Sequence, residues 1–335
     1  MAPRFIWACG IEAGSLAPFT GPNGGNPRSV EASVVHTGNY SLETIGGSSR
    51  WSYWSTPNLE EGHKEMYLSC WTINSIPGAQ NGYRFEFFTD NGALIGIRLP
   101  GNGDSLWDAY VDGAKVADGG LGVTMPVGIW TLIELYVKID DTVGRIISKM
   151  NGAIDVDYTG DTEPDTDSFI EDLRTYNGDS TSRYDDYAIA VDDWCGDVRI
   201  GRMVPEGDVE GEWEPSVAGT GSNYARVDER PPSDADYNRA SGTVQTDKYL
   251  LSTFDSEGKT PLFVTSWARA RKESDQDSKF KFIADDLTTE DINTGTALTT
   301  SAAYYSKVYN ETPTGGAWTG DDLENLTVGV ESELP

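Results

Sequence analysis

The sequence predicts an all-β protein built from antiparallel strands. Three observations lead to this prediction: short runs of alternating apolar and polar residues recur along the chain, turn-forming residues bound each run, and apolar residues at helical spacing are scarce. Glycine is abundant, with 37 of 335 residues, and 16 prolines supply further turns. A hydrophobic fraction of 38% is sufficient for a buried core, so we expect the whole chain to fold.

The strands predicted in the first two hundred residues follow one another closely. The clearest element is a hairpin, in which strands at 83–89 and 93–99 flank the turn Asp90-Asn91-Gly92, because Asn-Gly favours the positive φ of a tight turn. A second hairpin is predicted around Asp112-Gly113. Further strands are predicted at 66–73, 130–139, 144–149, 153–158, 169–175 and 186–194. Their spacing is typical of an antiparallel meander.

The charge of the chain excludes several classes of partner. It contains 25 Lys and Arg against 54 Asp and Glu, a formal net charge of −29. Nucleic acids and anionic lipid surfaces are bound through clustered Lys and Arg, so we expect neither as a partner. No apolar run reaches the ~18 residues that a membrane-spanning helix needs, and we expect no membrane insertion.

One long segment of the first part carries a family resemblance. Residues 128–162 read GIWTLIELYVKIDDTVGRIISKMNGAIDVDYTGDT, and a later strand ends AVDDW. This series resembles the later half of laminin-G-like domains of the concanavalin jelly-roll class, where a Trp opens a strand and D-x-x-x-G and Asn-Gly turns follow. The resemblance covers residues 1 to about 200. It implies a jelly-roll sandwich but no particular chemistry.

The composition changes after Gly201. VPEGDVEGEWEP (204–215) is acidic and contains Pro and Gly, and SVAGTGSN (216–223) consists of small residues, as is typical of connectors. We therefore predict a laminin-G-like jelly-roll domain over 1–203, a connector over 204–223, and a smaller β-sandwich domain over 224–335. The last domain is predicted to contain a helical turn capped by Thr319 and strands at 262–271, 279–284, 302–308 and 326–331.

Three segments of the C-terminal part carry a second resemblance: WEPS at 213–216, NYARVDERPPSDADY at 223–237 and PTGGAWT at 313–319. They are similar to a module at the C-terminal end of tailed-bacteriophage virion proteins, where W-x-P-S, N-Y-x-x-V-D-E-x-P-P-x-D-x-D-Y and P-x-T-G-x-A-W-T recur. The chain departs from this pattern by an additional glycine, Gly316, after Gly315. The resemblance implies a structural or attachment role.

Two patterns that could indicate catalysis are weak. His36 and His63 are the only histidines, and neither lies beside a nucleophile elbow. Glu206, Asp208 and Glu210 alternate like the carboxylates of jelly-roll glucanases, which share one face of a strand. However, the intervening Gly207 would pack nothing behind such a site, so we interpret the segment as an acidic edge or linker strand and expect no enzymatic activity.

The acidic loop 161–167 is the first candidate metal site, because Ca²⁺ takes six to eight oxygen ligands. Its candidate ligands are Asp161, Glu163, Asp165 and Asp167. Thr166 stands where a helical calcium loop needs Gly, so a solvated loop is the favoured interpretation and Ca²⁺ is the alternative; no other cofactor is expected. A second acidic group, in which the last two residues would point to opposite faces of a strand, consists of Asp185, Asp186, Asp192 and Asp193.

The densest aromatic cluster is Trp51, Tyr53 and Trp54 in SSRWSYWST. Flat aromatic faces can stack against sugar rings, which makes this cluster a candidate carbohydrate platform. Strand alternation places Trp51 and Tyr53 on one face and Trp54 on the other, so only part of the cluster can be exposed. Burial in the core or in a subunit contact is the alternative interpretation.

Together these patterns predict a non-enzymatic structural protein of a tailed-phage virion. We expect a tail-associated component, either a minor tail protein or a fibre or adhesin, that docks on other virion subunits, forms a homo-oligomer and contacts host glycans. The surface of the phage particle is the expected location, on the tail rather than the capsid. The alternatives are a capsid decoration protein, a free lectin-like carbohydrate-binding module, and a jelly-roll glycosidase.

Overall fold

The computed structural model divides into two compact units, residues 1–200 (unit 1) and 201–335 (unit 2). It describes residues 3–12, 19, 28–44, 52–56, 59, 62–74, 83–99, 107–120, 125–163, 168–177, 181–216, 221–229, 232–241, 244–254, 256, 258–274, 277–287 and 289–333. Strands dominate both units, and the predicted all-β class is confirmed. In the described part of the chain, no helix is long and apolar enough to cross a membrane.

Unit 1 is an antiparallel β-sandwich of two sheets. Its strands are β1 (Arg4–Cys9), β2 (Arg28–Glu31), β3 (Ser41–Thr44), β4 (Ser52–Ser55), β5 (Glu65–Asn74), β6 (Tyr83–Thr89), β7 (Leu94–Leu99), β8 (Asp108–Val111), β9 (Ala114–Ala117), β10 (Thr131–Lys138), β11 (Gly144–Met150), β12 (Ala153–Gly160), β13 (Ile170–Asn177) and β14 (Ser182–Val191). The eight-stranded sheet has the order β12-β11-β10-β5-β14-β3-β2, with β1 also paired to β14. The six-stranded sheet has the order β4-β13-β6-β7-β8-β9.

The core of unit 1 lies between these sheets and follows from strand periodicity. Successive side chains of a strand point to opposite faces. In β10, Ile133, Leu135 and Val137 are therefore all turned inward and are fully buried. In β7 of the opposite sheet, Ile95 and Ile97 are equally buried, and the two strands are in contact. The inward-facing apolar residues of both sheets thus form one core.

The predicted hairpin at 83–99 is confirmed by the pairing of β6 with β7. Gly92 adopts a φ of 92° at its turn, in the left-handed region that glycine reaches without strain. The final strand of unit 1 differs from the prediction of 186–194, since β14 spans residues 182–191. Asp186 has a φ of 51° inside this strand and Asp192 one of 79° just after it, so a bulge interrupts the strand and a bend ends it.

Unit 2 contains one main sheet and two short ribbons. Its strands are β15 (Pro205–Gly211), β16 (Glu214–Pro215), β17 (Asn238–Arg239), β18 (Thr246–Leu251), β19 (Val264–Ala270), β20 (Lys279–Asp285), β21 (Glu290–Ile292), β22 (Thr296–Ala297), β23 (Ala303–Tyr309) and β24 (Thr327–Glu333). The main sheet has the order β15-β18-β24-β20-β21, with β22 paired to β20. Segment 205–211, predicted as part of a connector, is therefore a strand of this sheet.

The core of unit 2 forms where the β19–β23 ribbon packs on the main sheet. Phe280 and Phe282 of β20 are buried there beside Tyr309 and Trp318, whose indole Nε1 donates to the Tyr309 carbonyl over 2.9 Å. The helix α1 (Gly320–Asn325) follows, and the predicted cap at Thr319 is present. The Thr319 side chain accepts from the backbone N–H of the third helical residue, which provides one of the otherwise unsatisfied groups at the helix start with a partner.

Candidate functional site

The outer face of the eight-stranded sheet carries a cluster of partly exposed aromatic residues. We call it the aromatic face, and it consists of Tyr67, Trp71, Trp130, Tyr136 and Trp194. Tyr67 and Trp71 alternate in β5 with Met66, Leu68 and Cys70, which are fully buried on the inner side. The sequence thus sends these aromatic rings outward by the same period-two rule that builds the core.

Strand register brings the aromatic rings together. β5 pairs with β10 so that Tyr67 lies opposite Tyr136, and their rings stack with centroids 4.6 Å apart. Trp71 lies opposite Leu132 in the same pairing, two rows along the sheet. Cross-strand neighbours of this kind are close enough for direct side-chain contact.

A segment that we call the strap, residues 192–200, crosses this face after β14 ends. Trp194 packs edge-on against Tyr67 at a centroid distance of 5.4 Å, and the Lys149 Nζ lies 3.3 Å from the centre of the indole. Ser69 Oγ donates to the Gly196 carbonyl over 2.8 Å. Trp71 Nε1 donates to a carboxylate oxygen of Asp197 in the strap over 3.2 Å. The strap is therefore bound to the sheet along its length.

His36 joins the aromatic face from the loop that follows β2. Its imidazole stacks on Trp71 with centroids 3.9 Å apart and an interplanar angle of 18°, and lies 5.5 Å from the ring of Trp130. Nδ1 is 2.8 Å from Oδ2 of Asp186. An Nδ1–H donated to this carboxylate leaves the lone pair on Nε2, where a proton can be accepted.

Three buried carboxylates hold the loop 36–40 that carries this histidine. Asp185 accepts from the backbone N–H of His36 over 3.0 Å. Asp186 accepts from the Thr37 hydroxyl over 2.7 Å and from the Ile200 N–H in the strap over 2.7 Å. Glu12 accepts from the N–H of Asn39 over 2.9 Å. These bonds give the buried carboxylates partners and fix the position of the imidazole.

Burial makes Asp185 a weak acid. The carboxyl is fully buried, and burial together with the neighbouring charge of Asp186 raises the pKa of Asp185 from an ordinary value of 3.8 to about 9. The pair therefore favours its protonated form up to a higher pH than an exposed aspartate does.

The electrostatic environment of the aromatic face is negative. Burial raises the pKa of the Tyr67 phenol, and the nearby carboxylates of Glu65 and Asp193 raise it further. The pKa of Tyr136 is also raised by burial and then by Glu65, whose Oε2 accepts from the Tyr136 hydroxyl over 3.3 Å. Nearby carboxylates thus add to the effect of burial on both phenols.

Of the aromatic cluster predicted from the sequence, the backbone of Tyr53 and Trp54 belongs to the other sheet. Trp51 lies outside the described residues, as do the side chains of Tyr53 and Trp54, whose backbone belongs to β4. That backbone pairs Tyr53 with Tyr176 and Trp54 with Thr175 at the edge of the six-stranded sheet. The aromatic face is thus a different site from the predicted platform.

The outer face of the six-stranded sheet carries ion pairs. Arg98 Nε is 2.6 Å from Glu86 Oε1, and the guanidinium lies 4.4 Å from the centre of the Tyr110 ring. Arg174 Nε is 3.3 Å from Asp172 Oδ1. Burial raises the pKa of Asp172 to about 6, and the charge of Arg174 opposes that increase. Arg98 and Arg174 therefore each have a carboxylate partner.

The predicted calcium ligands are only partly within the described chain. The backbone N–H of Glu163 donates to Asp161 Oδ1 over 3.0 Å, and Glu163 Oε1 is 3.0 Å from Lys64 Nζ. Asp165 and Asp167 lie outside the described residues. Among the residues that are described, no three His, Cys, Asp or Glu side chains are grouped so that they could hold a metal ion. Of the second acidic group, Asp185 and Asp186 instead bind the loop that carries His36.

The alternating carboxylates of β15 do not form one catalytic row. The register of β15 shifts between Pro205 and Gly207 and again between Asp208 and Glu210. Asp208 accepts the backbone N–H groups of Asn223 and Tyr224 over 3.0 and 2.7 Å, at the start of a short 3₁₀ turn. This carboxylate thus holds a local turn.

Comparisons with known proteins identify carbohydrate-active relatives of the fold. No protein-family model matches the chain, and no curated protein matches it. A glucuronan lyase from Trichoderma reesei is similar with a TM-score of 0.42 and 14% identity, over 56% of this chain and 96% of that one. Domain 4 of the arabinanase AbnA from Geobacillus stearothermophilus, solved with arabinotriose, has a TM-score of 0.40 and 13% identity over 57% and 93%. The alginate lyase vAL-1 from Chlorella virus has a TM-score of 0.37 and 9% identity over 49% and 90%.

These comparisons correct two predictions made from the sequence. The three similar structures named here are two polysaccharide lyases and a domain of an arabinanase solved with arabinotriose, and none of them is described as a virion protein. The prediction of a non-enzymatic structural protein of a phage virion is therefore wrong, as is the expectation of no enzymatic activity. The likeness concerns the fold alone.

Proposed function

We propose that the protein binds carbohydrate on the aromatic face. The observation that carries this proposal is the difference in burial between two sets of aromatic residues. Phe85, Phe87 and Trp107 are 0% exposed and fill the core of unit 1. The five aromatic residues of the opposite outer face stay partly exposed and are not needed to fill it. Partly exposed aromatic clusters with polar tips suit ligands that have both apolar and polar surfaces.

The polar groups around these rings complement sugar hydroxyls. Glu65 and Asp197 present carboxylate oxygens beside the Tyr136 hydroxyl and the Trp71 indole. His36 supplies a ring nitrogen in a position fixed by Asp186. A sugar ring can stack its C–H face on an aromatic side chain while its hydroxyls donate to these acceptors. Convergent polar groups around an apolar surface are the usual composition of a small-ligand site.

The test is binding of the full chain to a panel of neutral and acidic polysaccharides, measured by affinity electrophoresis. We expect Trp194→Ala to weaken binding about tenfold, equivalent to ~1.4 kcal/mol. The matched control is Tyr110→Ala, a partly exposed aromatic residue on the outer face of the other sheet, which should leave binding unchanged. Retardation by no polysaccharide, or an equal loss in both variants, would overturn the proposal.

A second candidate function, carbohydrate processing, is favoured by the His36–Asp186 pair. A histidine oriented through Nδ1 by a buried carboxylate is a common general base, and its Nε2 can take a proton from water or from a sugar. We expect His36→Gln to abolish release of reducing ends from a bound polysaccharide while binding persists. His63→Gln changes the other histidine of the chain and should leave any activity intact. Unchanged release in His36→Gln would exclude this role.

A further inference from the structure

We infer that the glycan taken by the aromatic face carries no acidic groups, so that neutral polysaccharides bind and polyuronates do not. This inference rests on the proposed function, because it names the substrate class of the same site. It goes beyond that function in separating two kinds of polysaccharide that an aromatic platform alone would not distinguish.

Exposed carboxylates lie beside the rings that the ligand would contact. Glu65 and Asp197 are exposed, and each is bonded to a polar atom of an aromatic ring that the ligand would contact. Asp192, also exposed, lies at the start of the strap, and Asp193 follows it. A uronate carboxylate placed on these rings would thus be surrounded by groups of its own charge.

Five cations of this sheet and strap already have acidic partners. Lys149 lies on the Trp194 ring and faces the carboxylate of Glu134, whose pKa it lowers against the effect of burial. The other pairs in the described residues of this sheet and strap are Lys138 with Asp140 at 3.6 Å, Arg145 with Asp157 at 3.0 Å, Arg183 with Glu43 at 2.6 Å and Arg199 with Asp197 at 3.8 Å. A ligand carboxylate would have to compete with these partners for each of the five guanidinium or ammonium groups named here.

The carboxylates near the rings and the net charge of the whole chain have the same sign. The carboxylates of Glu65 and Asp193 lie close enough to add to the effect of burial on the pKa of Tyr67, and Glu65 does the same for Tyr136. The whole chain has a formal net charge of −29, so the long-range field also repels a polyanion. Neutral sugars escape this repulsion and use the carboxylate oxygens as hydrogen-bond acceptors. The local and long-range electrostatics therefore select against the same ligands.

The experiment compares arabinan, xylan and a neutral β-glucan with alginate and polyglucuronate, using the full chain. It is run at about 20 mM and about 300 mM salt, because salt screens the repulsion between charged groups. We expect at least one neutral polymer to retard the protein and neither polyuronate to do so at low salt. Binding of a polyuronate as tight as that of any neutral polymer would overturn the inference and leave the proposed function intact. Retardation by none of the five polymers would instead remove the proposed function, and the inference with it.

A charge-removing variant tests the cause. Glu65→Gln combined with Asp197→Asn keeps one acceptor oxygen in each side chain and removes two negative charges from the aromatic face. We expect this double variant to be retarded by alginate or polyglucuronate where the wild type is not, because less negative charge at the aromatic face repels the ligand carboxylates. The matched control, Glu290→Gln with Glu333→Gln, removes the same charge from unit 2. Equal polyuronate binding in the two double variants would show that the charge on the aromatic face is not the cause.

Discussion

The imidazole of His36 lies flat on the indole of Trp71, with ring centroids 3.9 Å apart, while its Nδ1 is 2.8 Å from the Asp186 carboxylate. His36 and Asp186 are 150 residues apart in the sequence. The contact therefore joins an early loop, a central strand and the last strand of unit 1. Asp186 is one of three buried carboxyl groups that hold this loop, and substitution of Asp186 measures its share of the stability.

Asp186→Ala should destabilise unit 1 by about 3 kcal/mol, because it leaves the partly buried donors on Thr37 and Ile200 without their acceptor. Asp186→Asn should cost less, since its amide oxygen can still accept and Asn tolerates the φ of 51° at this position. Urea denaturation followed by tryptophan fluorescence measures both. Equal losses in the two variants would show that the hydrogen bonds do not determine the effect.

Asp185 should make stability depend on pH. Its pKa is about 9 in the folded protein and near 3.8 in the unfolded chain, so the folded state holds the proton more tightly. The stabilising contribution of the Asp185 proton is therefore fully present below about pH 4 and is lost as the pH rises towards 9. Relative to Asp185→Asn, the wild type should lose more than about 1 kcal/mol of unfolding free energy between pH 5 and pH 8.

The control for this pH dependence is Asp141→Asn, which changes an exposed aspartate of the same unit. Its unfolding free energy should follow that of the wild type across the whole range, as measured by urea denaturation at each pH. A constant difference between wild type and Asp185→Asn would contradict the assignment of the proton to Asp185.

Gly96→Ala should destabilise the six-stranded sheet by about 3 kcal/mol through overpacking. A Cβ at this position would lie 2.1 Å from the Phe85 carbonyl oxygen and 2.8 Å from the Cα of Glu86, both of them backbone atoms of the neighbouring strand. Gly120→Ala is the matched control, because the nearest atom to its Cβ is 3.9 Å away. Thermal unfolding of both variants tests this, and a similar midpoint for the two would contradict it.

Thr319→Ala should weaken α1 by about 1 kcal/mol, because it removes the oxygen that accepts the N–H of Asp322. Hydrogen exchange of the amides at 321–325 measures the effect locally. Thr319→Ser keeps the hydroxyl and should restore most of the protection. Unaltered exchange in Thr319→Ala would mean that packing of Leu323, which is buried, fixes the helix without its cap.

Local patterns predicted most strands, whereas long-range pairing created the site. The turn at Gly92 and the cap at Thr319 depend on neighbouring residues, so the sequence was sufficient to identify both. The sequence does not predict His36 as a site residue, because it lies beside no nucleophile elbow. Its partner Asp186 occupies a positive-φ bulge of β14, a conformation that strand alternation does not anticipate. The same bulge explains why the predicted strand, 186–194, begins four residues after the start of β14.

The strap has a consequence for where unit 1 ends. A fragment terminated after Val191 would keep every strand of the sandwich, yet would lose the Ile200 N–H that Asp186 accepts and the backbone that covers Ser69. Two buried polar groups would then face water or go unsatisfied, and Tyr67 would lose the indole against its edge. The nine residues after the last strand are thus as much a part of the folded body as the strands themselves.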